Sequence, residues 1–204
     1  MLSPGGVFGE RMKHVLGSGA RLVVDPVPGA PVTAVYLYIS AGASEERPEQ
    51  HGAAHFLEHM CFKGSPELGV GEVATQIEAM GGDVNAYTSF DETVYQLQVP
   101  TDGDGETFTT GLDVLREWAG SVTISDEEVE KERGVVLEEQ RLGKGAFERI
   151  QDIQFPILFN NSRYAERLPI GTAEVLQTAP AQRLRDFYED WYLEFLNFFL
   201  KMIL

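Results

Sequence analysis

"HGAAHFLEHM", residues 51–60, sets His55 and His59 four positions apart with Glu58 beside the second. On a helix of about 3.6 residues per turn, side chains four apart lie on one face, one turn up. Both imidazoles can therefore offer a nitrogen to one ion. Glu58 is three residues from His55 and so lies near the same face. It is turned about 100° around the axis from its neighbour His59. That offset suits a base that contacts a water and not the metal. Catalytic zinc takes three protein ligands and keeps a fourth position open for water. It lowers the water's pKa, and a carboxylate takes the proton as the water attacks a carbonyl. His51 falls on the same row but precedes the helix, so it is read as a loop or cap residue.

A third ligand comes from a stripe some eighty positions on. In "SDEEVEKERGVVLEEQRL", Ser125 followed by Glu128 is a capping-box signature for a helix start. On that helix Val129, Glu132, Val136 and Glu139 share one face. Such a stripe normally buries apolar residues. Two glutamates among valines are costly unless paired or metal-bound. Glu139 is therefore the expected third ligand, and Glu132 the expected carboxylate that orients a ligand imidazole. Cys61 falls on another face of its helix and is expected to pack in the core.

The flanking sequence predicts strands over 21–25, 32–40, 83–90 and 92–100, and helices over 52–63, 69–82, 106–121, 125–145 and 179–192. Another helical pattern, "AFERIQDIQFPILF", contains Pro156, which is expected to bend or end it. Pro180 is placed in the first turn of the last helix. Early strands with interspersed helices make the class α+β. The final twelve residues, "LEFLNFFLKMIL", are strongly apolar yet too short to span a bilayer.

The chain has 204 residues, long enough for a hydrophobic core, and 32 acidic against 16 basic residues give a net charge of −16. That surface repels nucleic acid and anionic membranes and suits basic peptides. A single cysteine excludes an internal disulfide and a four-cysteine zinc site. No apolar run of signal-peptide or membrane-span length is visible, so a cytoplasmic location is the default.

"GAAHFLEHMCFKGS", "IEAMGGDVNAYTSFDETVY" and "EVEKERGVVLEEQRL" together resemble the N-terminal catalytic domain of the M16 zinc peptidases, the family of pitrilysin, insulin-degrading enzyme and the mitochondrial processing peptidase β subunit. H-x-x-E-H is the inverzincin motif. The resemblance runs from about Arg21 to Tyr192. It implies a two-layer sandwich, a mostly antiparallel sheet with helices on one face, shared with S-ribosylhomocysteinase. It implies a zinc-dependent endopeptidase with one zinc per chain held by His55, His59 and Glu139. Glu58 would be the general base and Glu132 the partner carboxylate. Asn85 and Ala86, in "NAYTS", would line an edge strand that receives a peptide or unfolded polypeptide by β-augmentation.

After Tyr192 the family continues with a strand-forming segment that "LEFLNFFLKMIL" does not match. Residues 1–192 are therefore read as the peptidase domain and 193–204 as an atypical tail, with a truncated or frameshifted chain as the expectation. The family's substrate-closing C-terminal half would come from a companion chain. Two alternatives stand beside the peptidase: a non-catalytic subunit, and an S-ribosylhomocysteinase-type lyase, for which Cys61 is poorly placed.

Overall fold

The structure is a computed structural model that describes residues 9–101, 105–143, 145–193 and 198–203. β1 (Met12–Val15), β2 (Arg21–Asp25), β3 (Val32–Ile39), β4 (Asp83–Thr88), β5 (Thr93–Pro100) and β6 (Phe198–Ile203) form one sheet in the order β1-β2-β6-β3-β5-β4. All neighbours are antiparallel except β2 and β6. Among the described residues there are seven α-helices: α1 (Ala53–Cys61), α2 (Glu72–Ala79), α3 (Glu106–Gly120), α4 (Asp126–Leu142), α5 (Ala146–Leu158), α6 (Ala173–Thr178) and α7 (Ala181–Tyr188). The fold is α+β.

Alternation along β3 and β5 decides which face is covered. Val35, Leu37 and Ile39 are buried, and so are Tyr95, Leu97 and Val99. Leu37 pairs with Tyr95 and Val35 with Leu97, so both strands present one apolar face. Phe56, Leu57 and Met60 of α1, Trp118 of α3 and Phe187 of α7 pack into the same core. Each large side chain contributes about 1.5–3 kcal/mol by leaving water. On the opposite face Tyr36, Tyr38, Gln96 and Gln98 keep solvent contact.

The apolar end of the chain enters the sheet. Phe198–Ile203 pairs with β2 on one side and β3 on the other, filling an interior position. Tyr192 lies in a π-helical turn (Glu189–Leu193) after α7 and is 1% exposed. α5 includes Pro156 and ends two residues later, at Leu158. One proline expectation is corrected, that for Pro180. It stands at the N-cap of α7, one position before the first helical residue.

Three contacts fix α1, the helix that carries the motif. At its start, the buried Glu46 carboxylate accepts hydrogen bonds from the backbone N–H of Gly52 and of Ala54, both at 2.9 Å. These are donors the helix cannot satisfy itself. Burial pushes the Glu46 carboxyl up to about 8, although the helix N–H groups and Arg167 pull it down. Gly52 also meets Gly171, where a Cβ would come within 2.5 Å of the Gly52 Cα. Gly171 has φ of +73°, so both its backbone angle and its surroundings require glycine. At the end of α1, Trp118 Nε1 donates to the Cys61 carbonyl at 2.8 Å.

Glu46→Ala is expected to cost about 1–3 kcal/mol of stability by orphaning buried N–H groups. Urea denaturation checks this. An unchanged midpoint would show that water replaces the carboxylate without loss.

Candidate metal centre

α1 and α4 face each other so that one row from each helix meets. His55 Nε2 lies 3.5 Å from Glu139 Oε1, and His59 Nε2 lies 3.2 Å from Glu139 Oε2. The two imidazole rings are 4.7 Å apart, nearly edge to face. Potential ligand atoms of His55, His59 and Glu139 all lie within 4.8 Å of one another. On α4, Ser125 caps the first turn by accepting from the Glu128 N–H at 3.2 Å, and buried Val129 and Val136 seat the helix on the core. Gln140 Nε2 donates to the Gly171 carbonyl at 2.8 Å, linking α4 to the loop against the start of α1.

The orientation of the side chains fits a cation. His59 Nδ1 sits 2.9 Å from Glu132 Oε1, so Nδ1 donates a proton to that carboxylate and Nε2 is the nitrogen turned toward Glu139. Burial, then the neighbouring His59, lowers His55 to about 4, so it is neutral at pH 7. Two imidazoles and a carboxylate whose ligand atoms converge form a catalytic-zinc donor set.

Glu58 stands aside from this set. It is buried, and its Oε2 accepts from Thr88 Oγ1 of β4 at 2.5 Å. Burial raises its pKa above the ordinary carboxylate value, against the pull of Thr88 and His59. Glu132 is 5% exposed. Burial pushes its pKa up, but hydrogen bonds from Lys63 and His59 outweigh this and hold it low. The second Glu132 oxygen takes Lys63 Nζ at 2.6 Å.

Of the residues singled out from sequence, the structure gathers His55, His59, Glu139 and Glu132, and places Glu58 beside them. Asn85 and Ala86 lie on β4, which pairs only with β5 among the described strands. Glu58, His59, Phe62, Lys63, Asn85 and Ala86 line a cleft of about 290 Å³. Glu139 also borders a larger one, about 660 Å³, with Phe90, Phe155 and Ile170. His51 follows a 3₁₀ turn (Pro48–Gln50), and its Nε2 is buried without a partner. Cys61 lies in the core, its Sγ 3.1 Å from Tyr95 Oη, and burial pushes the thiol up to about 12. A lyase that needs a cysteine base has no support here.

Lys63, Thr88 and Glu46 were not singled out from sequence. Lys63 continues the 55–59–63 row, and Thr88 lies two residues beyond Ala86 on the same strand. Those spacings were the only available signals.

An α+β fold with an H-x-x-E-H helix opposite a glutamate-bearing helix is that of an inverzincin metallopeptidase domain. Residues 21–142, more than half of the chain, match the family described as Insulinase (Peptidase family M16). The chain belongs to that family. It is 38% identical over 162 residues to the probable zinc protease PqqL of Escherichia coli K12, which covers 78% of this chain and 17% of that protein. It is 30% identical over 178 residues to the human mitochondrial-processing peptidase subunit beta, covering 87% of this chain and 35% of that protein. The crystal structure of the first half of the periplasmic protease PqqL from Escherichia coli superposes with a TM-score of 0.87 at 33% identity. That superposition covers 95% of this chain and 42% of that one. The chain thus spans well under half the length of these relatives. One is described as periplasmic and another as mitochondrial, so kinship does not carry the cytoplasmic default. Among the described residues no helix is long and apolar enough to cross a membrane.

Proposed function

We propose that this chain is the zinc-binding catalytic domain of an M16-type endopeptidase. The observation that carries the reading is the convergence of His55, His59 and Glu139 from two helices on one point. These residues would hold one zinc, which supplies Lewis acidity toward a water and a peptide carbonyl. Glu58 takes the proton from the attacking water, and its raised pKa suits a group that then passes the proton to the departing amine. Thr88 holds Glu58 from β4. Glu132 fixes the His59 ring by accepting its Nδ1–H.

The substrate backbone would lie along β4. Ser89 N–H donates to Glu92 O at 2.8 Å, so by antiparallel alternation the Ala86 N–H points to the free edge. There it donates to the Asn85 side-chain oxygen at 2.9 Å. An incoming peptide would displace Asn85 and pair with Ala86, which reads backbone more than sequence. The acidic chain favours basic or unfolded polypeptides.

A second reading is favoured by the 17% coverage of the PqqL relatives: activity needs a companion chain or C-terminal half. The test is cleavage of an unstructured basic peptide by the purified chain, with and without a chelator. Chelator-sensitive cleavage supports an independent enzyme. Zinc binding without cleavage, followed by cleavage once an M16 companion is added, supports the second reading. Cleavage indifferent to chelator contradicts both.

A further inference from the structure

We infer that Lys63 is a positioning residue of the metal centre, acting on His59 through Glu132; this rests on the zinc reading above. α1 and α4 meet as an alternating row. His55 and His59 face Glu139, His59 also faces Glu132, and Glu132 faces Lys63. Lys63 lies just past the C-cap of α1, where its N–H still donates to the Met60 carbonyl at 2.9 Å, so it extends the histidine row by one turn.

Glu132 is buried, and its two oxygens have different partners. Oε1 meets His59 Nδ1 at 2.9 Å and Oε2 meets Lys63 Nζ at 2.6 Å. A carboxylate on a flexible stem can rotate about its last bond. Lys63 removes that freedom by holding one oxygen, which leaves the other aimed at the ring. The His59 ring is then fixed with Nε2 toward Glu139. The ion pair of Lys63 goes to Glu132 and not to any of the three proposed ligands. Its effect on their orientation passes through Glu132.

This gives a sign that separates positioning from plain electrostatics. A cation near a divalent ion repels it, so removing Lys63 would tighten zinc binding if charge alone mattered. If Lys63 positions Glu132, its removal weakens binding. Removing partners of metal-ligating histidines typically costs about 10–100-fold in affinity.

The test is zinc affinity by chelator competition for wild type, Lys63→Met, Lys63→Arg, Glu132→Gln and the Lys63→Met/Glu132→Gln double variant. Thermal melting in chelator shows that each is folded. Lys63→Met is expected to weaken zinc about tenfold, and Lys63→Arg to recover most of that, since its guanidinium still pairs with the carboxylate. The double variant is expected to match Glu132→Gln alone, because the lysine acts only through the glutamate. The His59 Nδ1–H signal in the NMR spectrum of the zinc-loaded protein should sharpen in wild type and broaden in Lys63→Met. Unchanged or tighter binding in folded Lys63→Met overturns the inference while leaving the zinc reading intact. Additive losses in the double variant also overturn it. No zinc binding by wild type overturns both. If Lys63→Met does not fold, the Lys63→Arg and Glu132→Gln pair decides: Arg must bind zinc like wild type and Gln must not.

Discussion

Glu58→Gln is expected to keep zinc at wild-type affinity and to lose about two to four orders of magnitude in peptide cleavage, the usual contribution of a positioned general base. The substitution is nearly isosteric. An amide oxygen still accepts the Thr88 hydroxyl, which now lies 2.5 Å from Glu58 Oε2, so the link between α1 and β4 survives. What is lost is a group that can accept a proton from water. Glu58 lies outside the set of residues whose ligand atoms converge. Metal content should therefore not change. The measurement is zinc content and cleavage rate on the same preparation, with the companion chain present if the domain needs one. Retained cleavage would remove Glu58 from the base role. Lost zinc would make it a ligand.

His59→Ala is expected to have the largest effect on the metal itself. It removes one of three ligands and also strips Glu132 of its imidazole partner. Structural zinc sites with four ligands are worth roughly 10–16 kcal/mol, so one ligand accounts for a few kcal/mol, about a hundredfold or more in affinity. Glu139→Ala should lose a comparable amount. It should perturb the fold less, because Glu139 is half exposed, with its side chain at 50% exposure, whereas Glu132 sits in the interface between α1 and α4. The two substitutions together should not add, since a site reduced to one imidazole no longer chelates. Isothermal titration with zinc checks both. Equal affinity in Glu139→Ala and wild type would move the third ligand elsewhere.

The parts of this site legible in the sequence were those written in local periodicity. His55, Glu58 and His59 declare their helix and its face within five residues. Glu132 and Glu139 showed themselves by interrupting a valine stripe, a pattern that costs energy unless something compensates. The hairpin of β4 and β5 was legible because Tyr95, Leu97 and Val99 alternate with glutamines. Contacts between distant segments were not. Thr88 reaches Glu58 across 30 residues, and Glu46 caps α1 from within a polar loop. Neither position differs locally from an ordinary loop or strand residue. The apolar end of the chain was equally opaque. Nine apolar residues in twelve, broken only by Glu194, Asn197 and Lys201, carry no clear period that tells strand from helix. Its place between β2 and β3 is set by two partners more than a hundred and fifty residues away.

The most direct test of the central claim is zinc stoichiometry after equilibrium dialysis, measured on wild type and on the His55→Ala/His59→Ala double variant, with folding of both checked by circular dichroism. The expected result is about one zinc per wild-type chain and none above background for the variant, as a three-ligand site reduced to a single carboxylate requires. A folded double variant that still holds one zinc, or a folded wild type that holds none, would contradict the assignment of the metal centre to α1 and α4.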